Sequence, residues 1–258
     1  MPAIHPTAIV HRNARLADDV TVGPYSIIGE HVEIGAGTTI ASHVVIEGYT
    51  TIGKNNRIFQ FNSLGAIPQD KKYKDEPTRL EIGDNNLIRE YCTFNTGTVQ
   101  DIGYTRVGNN NWIMAYVHIA HDCVVGNDII LANSAQLAGH VHIDDYAVMG
   151  AFSGVHQYCN VGAHVMVGGG CLLFQDLPPY VMVGGNPATP HGINSEGLKR
   201  RGFSSDAILA IKRAYKTLYR SGLSLEQAVD EIAAQAATHP ELKLFPEFLA
   251  RSKRGIIR

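Results

Sequence analysis

Every sixth residue from Ile4 to Leu64 is apolar, eleven positions without a miss. The register is interrupted at Asp70, returns at Ile82, Ile88 and Phe94, and then holds for twelve more positions from Val107 to Leu173. Neither the 3.6-residue period of a helix nor the two-residue alternation of a half-buried strand gives a recurrence of six. A chain that turns at fixed intervals does. Each hexad supplies one short strand and one turn, and three hexads close a triangular coil of eighteen residues with its aliphatic side chains inward. Glycine often follows the aliphatic residue, as in Val22-Gly23, Ile28-Gly29, Val107-Gly108 and Val125-Gly126, where the backbone has to bend beside a strand. The pattern predicts a mainly β solenoid whose coils stack about 4.8 Å apart through parallel ladders.

Two polar segments, residues 65–79 and 95–106, lie between intact coils and must loop outward; loops on a rigid scaffold are where function concentrates. After Pro187 the six-residue period is gone. A helical pattern begins at Ser204 or Ser205, with Ile208, Ile211, Ala214, Tyr215 and Leu218 on one face. Ser224 and Gln227 have capping-box spacing ahead of a second helix, and Pro240 opens a third helical stretch to about Ser252. The predicted organisation is a repeat domain over residues 1–187 and a helical domain over 188–258.

In an eighteen-residue coil, positions i, i+18 and i+36 lie above one another, so spacing converts to proximity. His121, Gly139 and Gln157 form one such column; His140 follows Gly139, His156 precedes Gln157, and His118 precedes the inward-facing Ile119. His121, Gly139, His140, His156 and Gln157 are expected to make one polar cluster on one edge, with His118 approaching it from the flanking wall. A glycine stacked beside His121 leaves room for substrate and exposes a backbone N–H, and the adjacent Asp122 can orient the imidazole. Those are the parts of a general base with an oxyanion donor. Metal binding is the competing use, because imidazole suits Zn²⁺ and the γ-class carbonic anhydrases build a three-histidine site on a related solenoid. They use His-x4-His spacing, whereas this chain has His118-x2-His121. The reading adopted has neither metal nor cofactor. A passive scaffold, the non-enzymatic alternative, gives no reason to gather histidines on one edge.

The 258 residues are 45% hydrophobic and 18% charged, which excludes disorder over most of the chain. No apolar run approaches the roughly eighteen residues of a membrane span, and the N-terminus lacks a signal-peptide pattern, so a cytoplasmic protein with no membrane span is expected. Cysteines 92, 123, 159 and 171 show no CxxC spacing and are read as reduced, packed thiols. The net charge of −2 hides an asymmetry: residues 199–258 hold twelve Lys or Arg against six Asp or Glu. The basic tail points either to something acidic or to a merely solvated helical surface, and nucleic acid is not among the expected partners.

The segments His118-Ile-Ala-His121-Asp-Cys, Leu137-Ala-Gly-His140-Val, Val155-His-Gln157, Val161-Gly-Ala-His164-Val-Met-Val-Gly168-Gly169 and Glu196-Gly-Leu-Lys-Arg-Arg-Gly-Phe203 carry a specific likeness. The chain resembles the acyl-carrier-protein-dependent UDP-N-acetylglucosamine O-acyltransferases of lipid A biosynthesis, members of the hexapeptide-repeat acyltransferases, over nearly its whole length. The resemblance implies a left-handed parallel β-helix and a homotrimer with active sites between subunits. It implies transfer of a 3-hydroxyacyl chain from acyl carrier protein to the 3-position of UDP-N-acetylglucosamine, the first step of lipid A biosynthesis, with the carrier thioester as co-substrate. His121 would be the general base, Asp122 its support and Gly139 the oxyanion donor. His118, His140, His156 and Gln157 would hold substrate along the groove, and Asp70 and Lys72 would contact sugar and acyl groups. Asn194, Glu196, Arg200 and Arg201 would hold the uridine and diphosphate, since the planar donor fork of Arg suits phosphate. Met166 and Gly169 would measure the acyl chain, Gly169 leaving the groove open for a long one. Where the family commonly reads His-Arg-Gly-Thr, this chain has Asn95-Thr96-Gly97-Thr98. The alternative acceptor is therefore a close analogue, such as a 3-amino sugar nucleotide used by a paralogue.

Overall fold

The computed structural model describes all 258 residues, Met1–Arg258. Strands of mostly two residues stack into three parallel walls of eleven, nine and eight strands. Numbered in the order in which the chain enters them, the first wall begins at Ala3–Ile4, the second at Ile9–Val10 and the third at Arg15–Leu16. Each strand pairs with the one a coil later, as in Ile119↔Leu137↔Val155 on the second wall. The hexad aliphatics form the core: Ile28, Ile46, Leu131, Leu137 and Val161 are all fully or almost fully buried. A short row of polar side chains shares that interior because each satisfies its neighbour; Asn86 Nδ2 donates to Asn56 Oδ1 at 3.0 Å, and the Asn111 N–H donates to Asn86 Oδ1 at 2.9 Å.

Many edge turns place one non-glycine residue in a left-handed backbone. Where the third wall meets the first, Asn55, Asn85, Asn110 and Asp128 take it at φ of 55–58°, and Asn and Asp tolerate this conformation best. Where the first wall meets the second, aromatic rings sit in the same conformation and stack, Phe61 on Tyr91 and Tyr91 on Tyr116 at 4.9 Å each.

The excursions are thrown out without breaking the ladder. Ile58 pairs with Ile88, and Ile88 with Ile113, spacings of 30 and 25 residues where 18 is the rule. Residues 67–78 and 96–103 form the actual loops, tighter than the sequence suggested, because Ser63–Ala66, Arg79–Ile82, Thr93–Asn95 and Tyr104–Val107 are strands of the walls. All four cysteines are free and buried, and burial pushes the Cys92 and Cys123 thiols up to about 12. They are packing groups.

The repeat outlasts its sequence signature. Val181–Gly184 continues the first wall and pairs antiparallel with Thr189–Ile193, so the boundary expected at Pro187 falls in the turn of a hairpin. The six-residue rule fails there because a hairpin reverses the chain. Four α-helices follow: α1 (Ser195–Arg200), α2 (Ser205–Arg220), α3 (Leu225–Gln235) and α4 (Leu244–Arg251), the last entered through a 3-10 turn at Pro240–Lys243. The capping box of Ser224 and Gln227 is present. α1 was not foreseen; six residues are too few to show a period. The tail returns to seal the solenoid. The Ile257 N–H donates to Asp176 O, Ser252 Oγ donates to Asp176 Oδ2 at 2.6 Å, and Ile256 and Ile257 are buried. That end is capped as a repeat array requires.

Candidate active site

The edge where the second wall meets the third carries His121, Asp122, Gly139, His140 and Gln157. Asp122 has φ of +58°, and its side chain is fully buried. A lone buried carboxylate would be costly, but this one is saturated. The Thr98 N–H donates to both oxygens at 2.9 and 3.1 Å, the Thr98 hydroxyl donates at 2.6 Å, and His121 Nδ1–H donates at 2.9 Å. Burial alone would raise the Asp122 pKa; the hydrogen bonds from His121 and Thr98 outweigh it and hold the group below its ordinary value. Asp122 is therefore an anion that fixes the His121 tautomer, leaving Nε2 as the nitrogen able to accept a proton.

Gly139 stacks against that ring. A Cβ at this position would lie 2.5 Å from His121 Cε1 and 2.7 Å from Nε2, so any larger residue would displace the His121 ring. Its N–H donates to no group of the chain. His140 meets His121 edge to face at 4.8 Å and stacks on Tyr158 at 4.1 Å. Gln157 lies one coil beyond Gly139 and is exposed.

The expected single cluster divides in two. His118 and His156 lie on the outer face of the second wall, in a groove of about 390 Å³ lined also by Gln136, Gly154, Leu172 and Phe174. His118 is the outward residue of the strand His118–Ile119 and His156 follows the strand Gly154–Val155, so both lie against the wall and not off its edge. His118 Nδ1 is 2.7 Å from Thr93 Oγ1, and burial lowers its pKa. His156 Nδ1–H donates to Gln157 O at 3.1 Å.

The remaining expected residues sit elsewhere on the prism. Asp70 and Lys72 lie in the first excursion, where the Lys72 N–H donates to Asp70 Oδ1 at 3.0 Å. Asn95 and Thr96 are buried at its root: Asn95 Nδ2 donates to Ile67 O at 2.8 Å, and the Thr96 N–H donates to Ala66 O. Their substitution therefore bears on how the loop is anchored, not on a side chain facing the cleft. Asn194, Glu196, Arg200 and Arg201 gather where the third wall meets the first. Asn194 is committed internally, accepting from the Gly197 N–H as the cap of α1 and donating to His164 O at 3.0 Å. Glu196 pairs with Lys199 at 2.8 Å, and Arg200 is exposed. Arg201 Nη2 donates to Tyr146 O at 2.8 Å, while Nη1 is buried without a partner. His164 stacks between Tyr146 and Tyr180, and burial together with the Arg201 charge pushes its pKa down to about 4. Met166 faces outward on the first wall between Val148 and Met182. Gly169 turns the chain from the first wall to the second. Within one chain neither lies with the His121 cluster.

His121, Asp122 and His140 present ligand atoms within 4.8 Å of one another, a grouping a cation would recognise. In this arrangement His121 Nδ1 is engaged by Asp122 and His140 Nδ1 by Asp101, at 2.6 Å. Thr98 and Asp101 were missed by the spacing argument because an excursion has no column. Thr98 stood in the departing Asn95-Thr96-Gly97-Thr98 segment, where attention fell on the first two residues.

Comparisons with known proteins agree over the full length. Residues 176–257 match a family described as UDP-N-acetylglucosamine O-acyltransferase, domain 2, and residues 13–48 and 104–139 match the bacterial transferase hexapeptide repeats. A Thiobacillus denitrificans protein named acyl-[acyl-carrier-protein]–UDP-N-acetylglucosamine O-acyltransferase is 64% identical, with both chains covered completely. The UDP-N-acetylglucosamine acyltransferase structure from Francisella novicida superposes with a TM-score of 0.97 at 48% identity, covering 99% of this chain and 94% of that one. The LpxA structure from Acinetobacter baumannii gives 0.97 at 50% identity, covering 99% of each. With this agreement the solenoid is a left-handed parallel β-helix.

The Thr98 clamp can be tested by Thr98→Val, which keeps the side-chain volume and removes the hydroxyl donor. The depressed Asp122 pKa stabilises the fold above the unfolded carboxylate range, and that contribution is lost as pH falls through the folded value. In the variant the loss should begin at higher pH. The Asp122 midpoint, read by carbon-13 carboxyl NMR, should rise, and acyl transfer should fall about tenfold. An unmoved midpoint contradicts the clamp.

Proposed function

The chain belongs to the UDP-N-acetylglucosamine O-acyltransferase family and transfers an acyl group from acyl carrier protein to UDP-N-acetylglucosamine; on that premise we propose that His121 is the general base of the transfer. The observation that carries this reading is the Thr98–Asp122–His121 relay, which fixes one ring nitrogen and leaves Nε2 beside Gly139. Nε2 takes the proton of the glucosamine 3-hydroxyl as its oxygen attacks the thioester carbonyl of a 3-hydroxyacyl chain. The carbonyl electrons move to oxygen, which the Gly139 N–H stabilises. Collapse of the tetrahedral intermediate breaks the C–S bond, and the imidazolium returns its proton to the leaving thiolate. The ester and the free carrier thiol are the products. No metal or cofactor enters the scheme; the carrier thioester is a co-substrate. The reading places this transfer first in lipid A assembly, in the cytoplasm; no helix is long and apolar enough to cross a membrane.

The placement of the other residues favours a homotrimer. His121 stands on one edge of the prism, Arg201 on a second, and Gly169 on the third, so no single chain joins them. A three-fold arrangement with the Gly169 edge nearest the axis sets the second wall of one copy against the first wall of the next. It then brings the His121 edge of one copy to the Arg201 edge of its neighbour. Arg201 and Arg200 then supply charge for a diphosphate, Glu196 and the Asn194-capped turn flank the nucleoside, and His140, Gln157, Asp70 and Lys72 line the path of the sugar. The groove past His118 and His156 takes the acyl chain, and Met166 and Gly169 form its facing wall. The exposed basic face of α2, with Lys212, Arg213, Lys216 and Arg220, suits an acidic carrier.

His121→Ala should fold normally and lose on the order of 10²–10⁴ in kcat/KM, while a chelator leaves the wild-type rate unchanged. Retention of about a tenth of the activity, or dependence on Zn²⁺, would overturn the assignment.

Gly169 has open space around its Cβ direction, the nearest atom being Ala151 O at 3.4 Å, so a side chain fits there without backbone strain. Gly169→Met should shift preference toward shorter acyl chains, each excluded methylene forfeiting about 0.8 kcal/mol. A folded variant with an unchanged chain-length profile removes Gly169 from the ruler.

A further inference from the structure

Two histidine–carboxylate pairs, not one, occupy the catalytic edge. The second has no place in the scheme above. Asp101 lies in the loop 96–103, and its Oδ2 accepts from His140 Nδ1 at 2.6 Å. That loop also supplies Thr98, and it is closed on itself by the Asp101 and Gly103 N–H groups, which donate to Thr98 O at 3.3 and 3.0 Å. One loop therefore grips both histidines, His121 through Asp122 and His140 directly.

We propose that Asp101 is a positioning residue for the acyl transfer, holding the His140 ring so that Nε2 is the nitrogen available to substrate. The proposal rests on the reading that His140 contacts the sugar nucleotide. A carboxylate accepts and does not donate, so the proton of the pair resides on His140 Nδ1. Without Asp101 the ring has a weaker hold. The next carboxylate oxygen, on Asp122, is 3.8 Å from Nδ1, beyond hydrogen-bonding range and already saturated by Thr98 and His121. Stacking on Tyr158 at 4.1 Å and the edge contact with His121 fix the ring plane, but a plane can be kept while the ring turns over, which puts each nitrogen where a ring carbon stood. Asp101 removes that choice. His140 is itself buried and Asp101 about one-third exposed, so the carboxylate stands on the rim, between solvent and the ring it orients.

The test compares Asp101→Ala, Asp101→Glu, His140→Ala and the double variant in the full-length enzyme. Nitrogen-15 NMR of histidine-labelled protein, with the His140 signal identified by its loss in His140→Ala, should show the proton on Nδ1 in the wild type and a mixture of tautomers in Asp101→Ala. kcat/KM for UDP-N-acetylglucosamine should fall about tenfold in Asp101→Ala, through KM more than kcat, and recover in part in Asp101→Glu. The double variant should be no worse than His140→Ala, because Asp101 acts through that ring. Melting temperatures should stay within about 2 °C, which separates positioning from stability. Wild-type kinetics and an unchanged tautomer in Asp101→Ala, with His140→Ala impaired, overturn the proposal alone. A fully active His140→Ala overturns the reading beneath it and the proposal with it.

Discussion

Backbone pairing between residues one coil apart is the interaction on which everything else in this molecule rests. Two-residue strands such as Gln136–Leu137 have no stability of their own. They persist because each pairs above and below, and because the inward residue of every hexad closes against the next coil. The same pairing dictates chemistry. A side chain at an edge has as neighbours the residues one coil above and below and whatever an excursion or the helical tail brings over them. His121 meets Gly139 for the first reason and, through Asp122, meets Thr98 for the second.

The division of labour between coil and excursion explains how a rigid prism supports a polar site. Burying the Asp122 carboxylate beneath the edge is tolerable only because three donors on Thr98 and His121 replace its water. None of the donors in Thr98 belongs to the repeat; they arrive with the loop 96–103. The loop cannot drift, since Thr96 and Asn95 at its root are pinned to the base of the first excursion. The buried carboxylate thus depends on two insertions that interrupt the six-residue rule while the ladder beneath them continues unbroken.

That division also marks how far the sequence could be read. The hexads from Ile4 to Leu173 name one inward residue per strand but not the second buried position two residues earlier, as at Val20, Val44, Val117, Ile129 and Val165, and the eighteen-residue column identifies His121 with Gly139 by a translation along one axis. The same rule merged His156 with the edge cluster, since one residue of offset, which separates a wall from an edge, is invisible without the register of side chains. Thr98 and Asp101 escaped because loops do not repeat. The hairpin ending at Ile193 and the short α1 escaped because reversal and brevity leave no period. Asn194 and Arg201 were found by resemblance; their packing against His164 and Tyr146 is a matter of tertiary contact.

The central claim is that catalysis and nucleotide binding stand on different edges of one chain and meet only between copies. Mixing chains tests it directly. His121→Ala and Arg201→Ala proteins, each impaired alone, are co-expressed so that hybrid assemblies form, and transfer is measured in the purified mixture. If the site is shared, interfaces pairing an intact His121 edge with an intact Arg201 edge arise at random, and activity returns to about a quarter of the wild-type value. Hybrid assemblies no more active than either parent would place the whole site within one chain and contradict the account.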